Sequence, residues 1–511
     1  MSDHAPVATR GPRLVVALLA TVVVALHGAS LTHYGYFRDE LYYLACAQHL
    51  ALGYVDHPPF SIAVLAVVRA TLGTSLPALR LVPMLASIAT LVLTGEIVRA
   101  MRGGVFATAV ACTAEALAPI FLAFGHFYSM NSLDSVFWAL SAWLFLRIND
   151  EPSTGRWLTL GLVLGLGLEN KASILWLGAA LAVALLVFRR DLLKTRGPWL
   201  AAAVAALVLA PNVAWETAHG WPTVEFAKNA MEGKYKEHTL ASFLGGVADI
   251  MSPSSLPLFM VGALAPFAMR TLRPWRPLAC IPLVTFLILA ASKAAKAEYL
   301  AASFPVAFAV AGVALEIWLR AWPRGRWALL VPVVGRAALS IPFVVPILSI
   351  DRFLAYQAAL GAKPDSSEKK DMGPLPQLYA DMFGWNELVD AVAVAAATLT
   401  PEERAHAGVL SRSGYGAAAA IELLGPARAL PHGLSGHNNF YLWGPREADG
   451  SVMILMGGEE TWAKERFESV VAVTSFDCPL SMPYERHKTI FVARGMKQPL
   501  EEFWRDRRYF E

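Results

Sequence analysis

Charge is scarce in this chain. Only 16% of its 511 residues are Asp, Glu, Lys or Arg, and 56% are hydrophobic, whereas a soluble domain carries about 25% charge. A water-soluble globular protein is therefore the wrong class. Formal net charge is only +3, and no basic run is interleaved with aromatics, so nothing points to DNA or RNA as a partner. Cysteine is equally sparse. Cys46, Cys112, Cys280 and Cys478 are scattered, with no Cys-x-x-Cys and no zinc-type His spacing, so neither a disulfide framework nor a zinc site follows. Internal repeats, heptads and low-complexity tracts are missing too, which leaves no solenoid or coiled coil to consider.

What the sequence has is long apolar runs. They fall near 14–32, 78–98, 105–123, 131–148, 157–170, 172–188, 198–214, 254–270, 277–292, 299–319 and 327–350, about eleven spans on a twenty-residue criterion. Arg10 and Arg13 precede the first run. No small-residue cleavage site precedes Tyr34, so this run reads as a retained first helix. With the N-terminus cytoplasmic, every inner loop is basic, as in Arg99 and Arg102 or Arg320, Arg324 and Arg326, while the outer loops are mixed in sign. The apolar stretch 61–72 is too short to span and fits an interfacial helix.

After Ile350 the composition turns polar. Domain boundaries are expected at 1–350 for the membrane part, 351–375 for a linker and 376–511 for a small α/β soluble domain outside the membrane. Candidate strands are 408–411, 451–456 and 489–493; candidate helices are 385–398 and 459–470.

The polar motifs gather on the outer face. Just beyond the first span stand Arg38-Asp39-Glu40-Leu41-Tyr42-Tyr43 and then Asp56-His57-Pro58-Pro59. Ionisable groups at a membrane boundary are costly to desolvate, so they point to a wet functional cavity; the plain alternative is a solvated loop with helix caps. Asp134 begins the fourth span behind Asn131 and Ser132, where capping and dipole effects explain an acid as well as function does. Lys171 lies between two apolar runs, and needs an anion: a lipid phosphate, or an ion pair with Glu169 or a neighbouring helix. Lys293 and Lys296, followed by Glu298 and Tyr299, run against the positive-inside bias and suit a phosphate or lipid headgroups. In the C-terminal part, Ser411 to Gly416 offers a helix N-terminus to an anion. The run containing His437, Asn438, Asn439, Tyr441 and Trp443 combines amide, imidazole and aromatic groups that suit hydroxyl recognition and stacking on a sugar, or a turn with core aromatics.

The order of these motifs resembles the dolichyl-phosphate-mannose protein mannosyltransferase superfamily (glycosyltransferase family 39), which includes the bacterial aminoarabinose transferases. The carriers are Asp39-Glu40 after the first span, an acid before Pro58-Pro59, Asp134, Lys171 and Glu298-Tyr299. The resemblance implies a C-type membrane glycosyltransferase fold in a polytopic α-helical protein of the bacterial inner membrane. It also implies inverting transfer of a sugar from a polyprenyl-phosphate donor to a lipid, polysaccharide or protein acceptor. Asp39 would act as general base or hold a metal, Glu40 would support it, and Asp134 would lie near the reacting centre. Asp56, His57, Lys171, Lys293, Lys296, Glu298 and Tyr299 would serve the donor phosphate. The resemblance makes no cofactor certain and leaves open a divalent cation (Mg, Mn or Zn) held by Asp39 and Asp134. Where the aminoarabinose transferases have Glu-Lys before Pro-Pro, this chain has Asp56-His57, so a fixed cation is replaced by a titratable ring. The rival class is a multi-span transporter or flippase, which would place its acids and helix breaks near mid-membrane; a non-catalytic scaffold would leave Asp39, Glu40 and Asp56 without a purpose.

Overall fold

The computed structural model describes residues 10–292, 295–366 and 368–511. They form two compact units. The first collects the described residues up to Leu31 with Arg80–Ala214 and Glu237–Ile347; the second collects Thr32–Leu79, Trp215–Lys236 and Leu348–Glu511.

The first unit is helical. Across the described residues, six helices are long and apolar enough to cross a bilayer: Arg10–Ser30, Leu76–Ala100, Gly197–Ala218, Arg270–Ala291, Ala297–Trp318 and Gly325–Val344. A seventh span results if Leu240–Met251 and Pro253–Ala268, bent by 99° at Ser252, count as one. The protein is thus multi-pass. Other apolar runs make shorter helices, Val105–Ala116, Thr154–Leu168 and Ile174–Phe188. The run 105–123 breaks before Pro119, where the imino acid cannot continue the preceding turn's hydrogen bonds.

Close helix packing rests on small residues. A Cβ at Gly312 would collide with the Ala107 carbonyl, and one at Gly262 with the Ala307 carbonyl. Backbones therefore meet directly, as expected where lipid offers no hydrophobic drive between helices. Glu316 supplies a tertiary cap, its carboxylate accepting from Gly104 N at 2.6 Å just ahead of Val105–Ala116.

The second unit is built on a five-stranded sheet. Its strands are β1 (Gly408–Ser411), β2 (Gly433–Leu434), β3 (Val452–Met456), β4 (Phe467–Asp477) and β5 (His487–Met496), in the order β2-β1-β3-β5-β4. β1 is parallel to β2 and β3, whereas β5 is antiparallel to β3 and β4. Every residue of β1 and β3 is buried, and β3 reads as an unbroken apolar run. Two expectations need correction here. Residues 459–470 form a helix only over Glu460–Arg466, because Phe467 opens β4, whose Val470, Val471 and Thr474 favour a strand. The segment 351–375 is not a plain linker: it begins in the helix Ile350–Ala359, and Phe353 and Leu375 are buried. All four cysteines are free thiols.

The helix Arg38–Gln48 packs on Tyr415–Leu424 within this unit. Gly416 permits the approach, since a Cβ there would lie 2.6 Å from Arg38 Cγ.

Candidate functional site

In the second unit the first-loop acids are held by tyrosines. The helix Arg38–Gln48 starts at Phe37, whose N–H donates to Glu40 Oε2 at 2.9 Å; Glu40 thus caps its own helix. Asp39 points elsewhere. Its Oδ1 accepts from the Tyr415 hydroxyl at 2.7 Å and lies 3.4 Å from Arg38 Nε. No partner of Oδ2 is found among the described residues, and the side chain is 31% exposed. One oxygen is fixed and the other is open.

Arg38 is buried. It donates to the Tyr484 hydroxyl at 2.6 Å, lies 3.6 Å from Asp381 and sits 5.5 Å over the Tyr415 ring. Burial pushes the Asp381 carboxyl up to about 6, with the Arg38 charge opposing it.

Asp56 accepts from the Tyr42 hydroxyl at 2.7 Å, and its carboxyl is raised by burial against the pull of His57 and of that hydrogen bond. Asn439 Nδ2 also donates to the Tyr42 oxygen at 2.7 Å, while its Oδ1 accepts from Val55 N at 3.2 Å. His57 lies between Tyr43 and Tyr54, with ring centroids 4.7 and 4.9 Å away. Its Nδ1 donates to the Pro58 carbonyl at 3.1 Å, and Nε2 is buried without a hydrogen-bond partner, 3.9 Å from Asp56.

The run expected to meet an acceptor is largely tied down. His437 Nε2 donates to the Glu511 carbonyl at 2.7 Å, and Nδ1 accepts from Tyr415 N at 3.3 Å. Asn438 accepts from Glu511 N at 3.2 Å. Tyr441 stacks on Trp504, and Trp443 packs on His49 and Phe440.

The first unit holds the other group. Asp134, in the helix Met130–Asp150, receives the Ser173 hydroxyl at 2.7 and 2.8 Å from its two oxygens and has Lys171 Nζ at 3.6 Å. Lys171 also donates to Asn131 Oδ1 at 2.7 Å and sits 5.4 Å over the Tyr299 ring. Trp176 packs on Tyr299 at 5.5 Å. Lys296 opens the 3-10 segment Ala297–Ser303, which contains Glu298, whose Oε2 is buried without a hydrogen-bond partner. Lys293 lies outside the described residues.

The structure thus groups Asp39 with Arg38, Tyr415 and the Asp56–Tyr42–Asn439 chain, and separately Asp134 with Lys171 and Tyr299. Sequence reasoning missed Asp381, Tyr484 and Ser173, which carry no local motif. No cluster of three or more His, Cys, Asp or Glu suited to a metal occurs among the described residues. Asp134 is moreover already engaged by a lysine and a serine, which does not fit a shared metal ligand.

Comparison with known proteins gives a consistent picture. Residues 56–215 match the family model for dolichyl-phosphate-mannose-protein mannosyltransferase. The chain is 26% identical over 323 residues to the lipid A galacturonosyltransferase RgtD of Rhizobium johnstonii, covering 60% of this chain and 65% of that protein. It therefore spans just under two thirds of that relative's length. Two crystal structures of ArnT from Cupriavidus metallidurans share its fold. The apo form has a TM-score of 0.60 at 16% identity, covering 93% of this chain and 97% of that one. The form bound to undecaprenyl phosphate has a TM-score of 0.59 at 17% identity, covering 95% and 98%.

Proposed function

We propose, for a chain whose matches support membership of the protein mannosyltransferase-like superfamily, that its activity is inverting transfer of a sugar from a polyprenyl-phosphate donor. The acceptor is met on the extracytoplasmic face of a bacterial inner membrane. The observation that carries this reading is Asp39: a carboxylate with one oxygen fixed by Tyr415 and Arg38, and the other open.

A sugar linked to phosphate already has a good leaving group, so the enzyme needs a base for the acceptor hydroxyl and positive charge for the departing phosphate. Asp39 Oδ2 takes the acceptor proton as the acceptor oxygen attacks the anomeric carbon. The bond from that carbon to the phosphate oxygen breaks, and polyprenyl phosphate leaves. Within the first unit, Lys171, steadied by Asn131 and the Tyr299 ring, is the candidate cation for a donor phosphate, with Lys293, Lys296 and Glu298 just ahead of Tyr299 in sequence. Asp134 acts as its counter-ion. Asp56, bonded to Tyr42, and His57 beside it are the second-unit candidates for the donor. Tyr441 and Trp443 remain the aromatic candidates for the acceptor, while His437, Asn438 and Asn439 are tied to Tyr415, Glu511 and Tyr42. The basic inner loops favour a cytoplasmic N-terminus, with the C-terminal domain outside. RgtD and ArnT favour this reading over a transporter or flippase.

The test is transfer of radiolabelled sugar from a panel of polyprenyl-phosphate donors to endogenous membrane acceptors, with wild type and Asp39→Asn in equal amounts. Label is expected in a product with wild type alone. Consumption of no donor, or equal transfer by both proteins, would remove the assignment and bring the transporter reading forward.

A further inference from the structure

Three arginines of the second unit converge on one indole. The guanidinium carbons of Arg412, Arg507 and Arg466 lie 3.9, 4.6 and 4.7 Å from the centroid of the Trp462 ring. Each contact is a favourable cation–π arrangement, yet together they crowd three like charges at a solvent-accessible surface. Arg466 pairs with Glu465 at 3.0 Å. Arg412 and Arg507 make no ion pair among the described residues. Burial and the charges of Arg412 and Arg466 push Arg507 down to about 10, against the pull of Asp506; Arg412 is lowered in the same way, with Glu459 opposing. An assembly of this kind is relieved by an anion, and the forked guanidinium suits a phosphate.

The sheet independently marks the same place. β1 and β3 are parallel neighbours. The chain leaves β1 through the helix Tyr415–Leu424 towards β2 on one side, and leaves β3 through Glu460–Arg466 towards β4 on the other. Connections that depart in opposite directions open a crevice at the carboxyl ends of the two strands, where open α/β sheets bind ligands. Arg412 lies in the loop after β1. Gly457 and Gly458 lie in the loop after β3 with φ of +76° and +95°. A Cβ at Gly458 would collide with the Arg412 guanidinium, so only glycine lets that side chain cross the loop.

We propose that this crevice is a binding site for a phosphate or diphosphate group, gripped by Arg412 and Arg507, both held over the Trp462 ring, with Arg466 adding a third positive charge. The site is defined by binding and does not depend on the transferase reading.

The experiment is calorimetric titration of inorganic pyrophosphate into the full-length protein in phosphatidylcholine nanodiscs. Wild type is expected to show saturable binding, weakened at least tenfold in the Arg412→Ala/Arg507→Ala double variant. Gly458→Ala, which keeps all three charges but displaces Arg412, should weaken binding as well. Arg494→Ala, which removes a surface arginine paired with Glu403, should leave the affinity unchanged. Absence of saturable binding, or equal affinity in the double variant, would overturn the proposal. Repetition in phosphatidylglycerol nanodiscs identifies the source: loss of pyrophosphate binding assigns a lipid headgroup, and its retention assigns a phosphate on a non-membrane ligand.

Discussion

The Tyr415 hydroxyl lies 2.7 Å from Asp39 Oδ1, although 376 residues separate them. A hydrogen bond to a charged group contributes about 1.5–3 kcal/mol, and here its main effect is to fix which oxygen faces outward. Tyr415→Phe is therefore expected to lower the transfer rate about tenfold or more while leaving the donor KM near its wild-type value. Asp39→Asn should cost about 10²–10⁴-fold, the usual contribution of a general base. Initial rates across donor concentration for both variants check this. A Tyr415→Phe enzyme with wild-type turnover would show that Asp39 needs no such orientation.

Glu40 is adjacent in sequence yet employed differently. Its carboxylate accepts from Phe37 N at 2.9 Å, a bond that a glutamine carbonyl oxygen can replace. Glu40→Gln is expected to keep activity within about threefold, and Glu40→Ala to lower thermal stability by about 1 kcal/mol through the lost cap. Transfer assays and melting curves of the two variants separate the roles. A loss for Glu40→Gln comparable to that for Asp39→Asn would instead make both carboxylates part of the chemistry.

The division of labour between Asp39 and Glu40 shows what the sequence conveys. Composition and apolar runs reveal a multi-pass helical protein, because the need to satisfy backbone groups in lipid leaves few options. Strand β1 is legible to the residue, since a short apolar run bounded by turn residues has few alternatives. β4 is not, because Glu460 to Arg466 continues smoothly into it and only long-range pairing with β5 decides the boundary. The same applies to the site. Asp39 and Asp56 stand out as charges beside an apolar run, but their partners Tyr415, Tyr42 and Asn439 are recruited through tertiary packing. Asp381 and Tyr484 sit in stretches with no periodic or motif signal at all.

Lys171 and Asp134 form a mostly buried pair at 3.6 Å, with side-chain exposures of 13% and 4%. Removing one partner leaves an uncompensated charge, which costs about 3–5 kcal/mol, whereas removing both is much milder. Lys171→Met is thus expected to melt well below wild type, and the Lys171→Met/Asp134→Asn double variant to recover much of the difference. Thermal unfolding in matched detergent measures the coupling. Donor KM distinguishes the roles further: the double variant should remain poor in donor binding even when its stability returns. Recovery of both would make Lys171 a structural counter-ion alone.

His437 gives the fold a pH dependence of defined sign. Its ring is satisfied only when neutral, with Nε2–H donating to the Glu511 carbonyl and Nδ1 accepting from Tyr415 N–H. Protonation would set two N–H groups against each other. Desolvation places the ring at about 3, against an ordinary 6.5. Because the folded value is depressed, the unfolded chain binds the extra proton between these limits. The stabilising contribution is therefore complete above about pH 6.5 and is lost as pH falls towards 3. At pH 5 the loss is about 2 kcal/mol, which corresponds to several degrees of melting temperature. His437→Gln cannot take up a proton, so its melting temperature should fall less between pH 7.5 and 5 at constant ionic strength. Parallel curves for the two proteins would mean that the acid sensitivity originates elsewhere. Since the folded ring stays neutral down to about pH 3, the transfer rate of folded wild type should show no titration of His437 between pH 7.5 and 5, and a loss of rate there that tracks the melting curve reports unfolding.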